Sequence, residues 1–291
     1  MRTNGHDHGQ DGGTGRLPDV VVIGAMRSGT TWLHHQLDAH PDITMVRPKE
    51  PHFFDAHFEC GVGWYTERIA PAAAGGSTLV GEATQTYLYD DRCPGRMASV
   101  IPDAKLIAVL RNPVDRAYSH YWLNRTQGRE RRSFEEALDE EAADLAAATS
   151  RRRRRWSYVD RGRYLVQLRR VVDHYPRSAL QVLLFDDCTA RPVETLVGVW
   201  RFLGVDAGFV PPSSDERVNG FVQYRSTRLR DAGRRLPEGR RKLISRVNTR
   251  RRQYPPMEPA TRRRLLEVFQ EDNAALAAWL DRDLSRWGHE S

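Results

Sequence analysis

The chain has 291 residues, 40% of them hydrophobic, enough apolar material for one large α/β domain and too much for global disorder. No apolar run approaches the ~20 residues of a membrane span, and the opening MRTNGHDHGQDGGTGR lacks the apolar core of a signal peptide, so neither is predicted. A formal net charge of +7 points to anionic partners without choosing among them. Residues 1–16 read as a disordered tail, in which His6 and His8 are not taken as a metal site, and 17–291 as a single domain. Cys60, Cys93 and Cys188 lie far apart with no paired spacing, which argues against a disulfide framework and for a reducing, cytoplasmic setting.

Five short runs rich in Val, Ile and Leu read as buried parallel strands: 19–24, 42–46, 77–82, 105–110 and 180–185. Helical patterns alternate with them. TTWLHHQLDAH follows the first run. NPVDRAYSHYWLNRTQ follows the fourth, with Asn112 as N-cap, Pro113 at the first helical position and Asp115 in the first turn. SFEEALDEEAADLAAA opens on a capping box from Ser133 to Glu136. GRYLVQLRRVVDHY sets Leu165, Leu168, Val172 and Tyr175 on one stripe. The alternation predicts an α/β fold with a central, mainly parallel sheet of about five strands flanked by helices. The arginine run Arg151–Arg155 reads as a solvated loop, and the C-terminal ATRRRLLEVFQEDNAALAAWLDRDLSRW as an amphipathic segment packing back onto the domain.

Two stretches carry chemistry. The first is VVVIGAMRSGTTWL, residues 20–33, a strand ending in glycine and turning into a helix. Such a turn aims several backbone N–H groups at one point and makes an anion site. Gly24, Gly29 and Thr31 fit the Walker pattern, but Thr30 stands where the lysine belongs and Arg27 is the only cation nearby. Ser28, Thr30 and Thr31 add hydroxyls; as an ordinary turn, the same stretch would be capped by Ser28 or Thr30. The second stretch is KLIAVLRNPVDRAYSHYW, where Arg111 lies just past a strand and Ser119 two turns along the next helix. A guanidinium with a hydroxyl suits a phosphate monoester. A pairing of Arg111 with Asp115 is the structural alternative. Two anion sites on neighbouring βα turns imply a ligand with two separated phosphate-like ends.

AMRSGTTWL resembles the 5′-phosphosulfate loop of sulfotransferases that use 3′-phosphoadenosine 5′-phosphosulfate, and LRNPVDRAYSHY resembles their 3′-phosphate motif. RPKEPHFFD, residues 47–55, is similar to a segment of the heparan sulfate sulfotransferase branch. The resemblance runs in order through residues 19–204, with a weaker echo in the terminal LDRDLSRW. It implies a P-loop-like three-layer fold and sulfuryl transfer to a hydroxyl of a small-molecule, lipid or carbohydrate acceptor, with the phosphosulfate nucleotide as co-substrate and no metal. It further implies that Arg27, Ser28, Gly29, Thr30, Thr31, Arg111 and Ser119 hold the nucleotide, with Trp32 near the adenine and Tyr164 on the base. Glu50 is implied as general base, with Arg27 sharing in catalysis and His52 and Asp55 orienting the acceptor or the base. Without that resemblance Lys49 and Glu50 read as a solvated pair and His52 as an ordinary surface or core histidine. Arg217 and Arg225 are candidates for a loop closing over the nucleotide. A P-loop kinase with Asp186 as its Walker-B carboxylate, and an arginine-rich nucleic-acid-binding protein, are the rival readings. The first lacks the loop lysine and the second any recognisable binding motif.

Overall fold

The structure, a computed structural model, describes residues 15–147, 156–212, 222–224, 249–251 and 254–289. His6, His8, Arg151–Arg155, Arg217 and Arg225 lie outside the described residues.

Five strands form one parallel sheet: β1 (Val20–Gly24), β2 (Ile43–Met45), β3 (Leu79–Ala83), β4 (Lys105–Leu110) and β5 (Leu180–Leu184), in the order β2-β3-β1-β4-β5. β1 is central, with Val20 opposite Gly81 on one side and Lys105 on the other. Because successive side chains point to opposite faces, the apolar runs split between two cores. Val21, Ile23, Leu106, Ala108 and Leu110 pack on one face, and Val20, Val22, Ile107 and Val109 on the other. Both faces are covered, which is why the strands read as continuous apolar runs rather than alternating ones.

The second face is covered by α1 (Thr30–Ala39) and α9 (Pro192–Leu203), which bring Leu33, Leu37, Val199 and Trp200 onto it. The first carries α2 (Gly61–Ala73), α3 (Cys93–Val100) and α7 (Tyr164–Val172). On α7 Leu168 and Val171 are fully buried, with Val172 packed half-buried at the edge. α4 (Pro113–Thr126) begins as its sequence predicts, the Asn112 side chain accepting from Val114 N at 3.0 Å. Residues 134–147 divide into α5 (Phe134–Asp139) and α6 (Glu141–Ala147). The Ser133 capping box starts α5, and Glu141 then accepts the Val159 and Asp160 N–H groups. α8 (Phe185–Ala190) follows β5 directly. β6 (Val222–Tyr224) and β7 (Thr249–Arg251) pair antiparallel.

The C-terminal segment does pack back. α10 (Pro259–Leu280) buries Leu265, Phe269 and Leu276, and Trp287 in the last turn is 2% exposed. Arg16, at the end of the expected tail, is tied down by Asp19 at 3.0 Å and the Ser77 carbonyl at 3.1 Å. In the sheet order the chain leaves β1 to one side for β2 and β3 and then crosses to β4, so a crevice opens beyond the carboxyl end of β1. Open α/β sheets place ligands at such a switch point.

Candidate active site

β1 delivers the chain to Gly24, and α1 begins after Gly29, whose φ is 93°. A Cβ at Gly29 would stand 2.9 Å from the Phe185 ring, so both backbone angle and space require glycine there. No side chain caps α1, and neither Ser28 nor Thr30 fills that role. The helix N–H groups therefore face the crevice with the Thr30 and Thr31 hydroxyls beside them.

The loop's arginine reaches the second motif. Arg27 Nε donates to Ser119 Oγ at 2.9 Å, and the Arg27 carbonyl accepts from Arg111 Nη1 at 3.4 Å. Arg27, Arg111 and Ser119, three residues from two separate motifs, thus form one cluster. Burial lowers the Arg27 pKa, and nearby Arg111 and Arg116 push it the same way. Asp115 does not neutralise Arg111; it pairs with Arg262 at 2.5 Å. Arg111 instead lies 5.1 Å from the Phe185 ring centroid. Such a concentration of positive charge favours an anion.

Tyr164 is 1% exposed and its hydroxyl donates to the Arg111 carbonyl at 2.8 Å, so it supports the strand-to-helix turn from beneath. Trp32 is 7% exposed and belongs to the core with Val20, Val22 and Leu37. Asp186, which a kinase would use for metal, accepts from Trp287 Nε1 at 2.9 Å. Among the described residues no group of three His, Cys, Asp or Glu side chains could hold a metal ion.

The segment after β2 forms the other wall. It runs beside β3, with Glu50 N donating to the Ala83 carbonyl at 3.2 Å. Glu50 and His52 have φ of 67° and 56°, left-handed values that cost a side-chain-bearing residue roughly 1–3 kcal/mol each. Of the four such residues in the described chain, Arg27, Glu50, His52 and Asp281, three are in this site. The strained turn leads into a π-helical turn over Phe53–His57, whose Phe53 N–H donates to the Tyr87 hydroxyl at 2.9 Å.

Glu50 sits between two cations. His52 Nε2 is 3.6 Å from one of its oxygens and Lys49 Nζ is 3.7 Å from the other. The second imidazole nitrogen, Nδ1, lies 3.1 Å from Asp55 Oδ2, which also accepts from Thr86 Oγ1 at 2.7 Å. Asp55 and then Glu50 push the His52 pKa up to about 9, against the opposing effect of burial. His52 is therefore an imidazolium at neutral pH, joining the buried Asp55 carboxylate to the half-buried Glu50 carboxylate.

Lys49 is the residue that sequence reasoning missed. It is half-buried rather than solvated, and its ammonium donates to Thr30 Oγ1 and Thr31 Oγ1, each at 3.2 Å. This contact joins the wall carrying Glu50 to the loop that opens α1. The one signal available in sequence was the placing of Lys49 and Glu50 between Pro48 and Pro51, which marks a fixed turn.

Residues 17–228 match the sulfotransferase domain family. The chain is similar to the human bifunctional heparan sulfate N-deacetylase/N-sulfotransferase 2, with 27% identity over 92% of this chain and 30% of that protein. It is 31% identical to the mouse heparan sulfate glucosamine 3-O-sulfotransferase 3A1 over 67% of this chain and 48% of that one. It therefore spans less than half the length of either. Among solved structures, a sulfotransferase from Alicyclobacillus acidocaldarius superposes with a TM-score of 0.69 at 30% identity, covering 94% of this chain and all of that one. The mouse sulfotransferase SULT7A1, solved with PAP, shares the fold, with a TM-score of 0.54 at 18% identity over 91% of this chain and 88% of that one. The chain belongs to the sulfotransferase domain family.

Proposed function

We propose that this sulfotransferase moves the sulfuryl group of 3′-phosphoadenosine 5′-phosphosulfate to a hydroxyl of a small-molecule, lipid or carbohydrate acceptor by in-line displacement. The observation that carries the reading is the Arg27–Ser119–Arg111 cluster beside the uncapped start of α1. Together they offer two anion positions on neighbouring βα turns, as a nucleotide with phosphate groups at both ends of its ribose requires. Arg111 and Ser119 bind the 3′-phosphate. The α1 N–H groups and the Thr30 and Thr31 hydroxyls bind the phosphosulfate.

Glu50 is the general base. It takes the acceptor proton as the acceptor oxygen bonds to sulfur, and the bond from sulfur to the 5′-phosphate oxygen breaks with its electron pair left on phosphate. His52 orients the Glu50 carboxylate through its second nitrogen's hold on Asp55. The phosphosulfate is already activated and its charge is met by backbone amides and cations, so transfer needs no metal and persists in chelator.

Calorimetry tests the nucleotide assignment directly. The 3′,5′-bisphosphate should bind about 10²–10⁴-fold better than AMP, as two added charge-assisted contacts allow, and Arg111→Ala should erase most of that preference. Equal losses for both ligands would withdraw the second anion position. Titrations with ATP–magnesium and with duplex DNA cover the kinase and nucleic-acid readings. Glu50→Gln should lower kcat by about 10²–10⁴-fold while leaving bisphosphate affinity near the native value; normal turnover would move the base elsewhere.

A further inference from the structure

The loop brings a single cation of its own, Arg27, and its Nε is bonded to the second motif. Arg27 is committed through Nε to Ser119 and through its carbonyl to Arg111, both members of the second anion position. At the start of α1, where the phosphosulfate lies on the proposed reading, the Walker lysine position holds Thr30. A P-loop places its lysine there to reach the transferring group. In this chain Thr30 occupies that sequence position, and the ammonium standing over it belongs to Lys49, 3.2 Å from the hydroxyls of both Thr30 and Thr31. Lys49 reaches this point from the turn after β2, nineteen residues away from Thr30 in the chain. Its side chain is only 18% exposed, and burial lowers its pKa while Glu50 opposes that shift.

We propose that Lys49 is a catalytic residue of this site, standing in for the lysine the loop lacks, and that Arg27 acts instead on the 3′-phosphate. The assignment rests on the sulfuryl-transfer reading. In the free protein the ammonium is parked on two hydroxyls. When those hydroxyls turn to donate to the phosphosulfate, the same ammonium is in reach of its oxygens. As the acceptor oxygen bonds to sulfur and its proton passes to Glu50, the sulfur–oxygen bond breaks and charge grows on the 5′-phosphate oxygen. Lys49 donates a hydrogen bond to that oxygen and keeps its proton. Its position 3.7 Å from Glu50 also couples the two ends of the displacement, since one turn carries both the base and the cation.

The test compares Lys49→Ala and Arg27→Met in the full chain, measuring kcat and calorimetric affinity for the 3′,5′-bisphosphate and for AMP. Lys49→Ala should lower kcat by about 10²–10³-fold, the usual loss for one transition-state donor, and retain the native preference for bisphosphate over AMP. That retained preference also certifies the fold. Arg27→Met should lose the preference. Ethylammonium added to Lys49→Ala should restore part of kcat, because it refills the missing charge, a response that a merely structural role would not give. Near-native kcat in Lys49→Ala overturns the assignment. So does a fall in bisphosphate affinity that matches the fall in kcat/KM, which would mean uniform binding rather than transition-state stabilisation. If the native protein neither binds the bisphosphate nor transfers sulfuryl groups, the underlying reading fails; if it does both, only the Lys49 assignment is at stake.

Discussion

His52 holds its proton because two carboxylates face its two nitrogens, Asp55 at 3.1 Å and Glu50 at 3.6 Å. A histidine whose pKa rises from 6.5 to about 9 on folding stabilises the native state fully below about pH 6.5. That contribution fades as pH climbs through about 9, when the imidazolium is lost in the folded protein too. Melting curves of the native protein and His52→Gln across this window should therefore converge toward high pH, the native protein losing its advantage. Parallel curves would show that the two carboxylates do not act on His52 as their positions indicate. Gly29 makes a steric counterpart. Alanine there meets both an unfavourable φ of 93° and the Phe185 ring. Gly29→Ala should weaken bisphosphate binding more than it lowers global stability, since the loop and not the core must shift. Calorimetry and urea unfolding on the same variant check this, and unchanged affinity would count against it.

At the scale of elements, β3 carries a carboxylate through the middle of the first core. Glu82 is fully buried, accepting from Tyr65 on α2 at 2.7 Å and from Thr84 Oγ1 at 2.9 Å. Tyr87, just past Thr84, accepts from the Phe53 N–H and so ties β3's exit to the turn bearing Glu50 and His52. Desolvation pushes the Glu82 pKa up to about 7, and the hydroxyls of Tyr65, Thr84 and Tyr87 only partly oppose this. The folded state thus favours the protonated acid, and stability is lost as pH rises from about 4.5, the unfolded value, through about 7. Moving from about pH 5.5 to about pH 8.5 should cost the native protein about 2 kcal/mol relative to Glu82→Gln, which cannot ionise. Urea unfolding of both at the two pH values measures the difference, and an equal pH response in both would refute it.

At the scale of the whole molecule, the last turn of the chain locks the site. The buried Trp287 donates from Nε1 to Asp186 at the start of α8, and its carbonyl accepts from Asn112, the N-cap of α4, at 3.2 Å. Its ring meets Tyr164 edge-on at 6.2 Å, and Tyr164 in turn holds the Arg111 carbonyl. Residues 175 positions apart thereby fix the turn that presents Arg111. Trp287→Ala should cost about 3–5 kcal/mol of stability, the usual range for a buried tryptophan, and also reduce the preference for bisphosphate over AMP. A loss below about 1 kcal/mol would mean that the terminal turn is an appendage rather than a clamp.

Much of the fold could be read along the chain because its signals are local. Continuous apolar runs mark strands covered on both faces, and Asn112, Pro113 and Ser133 mark helix starts through bonds made within three residues. The same locality fixed the order of the elements and the nature of the loop at Gly24–Thr31. Other features depended on contacts between distant segments. The break at Glu140 follows from Glu141 reaching the 159–160 backbone. The left-handed turn at Glu50 and His52 is held by β3, and the charge of His52 by Asp55 and Glu50 facing it together. Above all, the contacts of Arg27 with Ser119 and of Lys49 with Thr30 and Thr31 were invisible in sequence. A motif shows which cation is near in the chain, but the electrostatics of the site depend on which is near in space, and only the packing of the β2 turn against the start of α1 decides that.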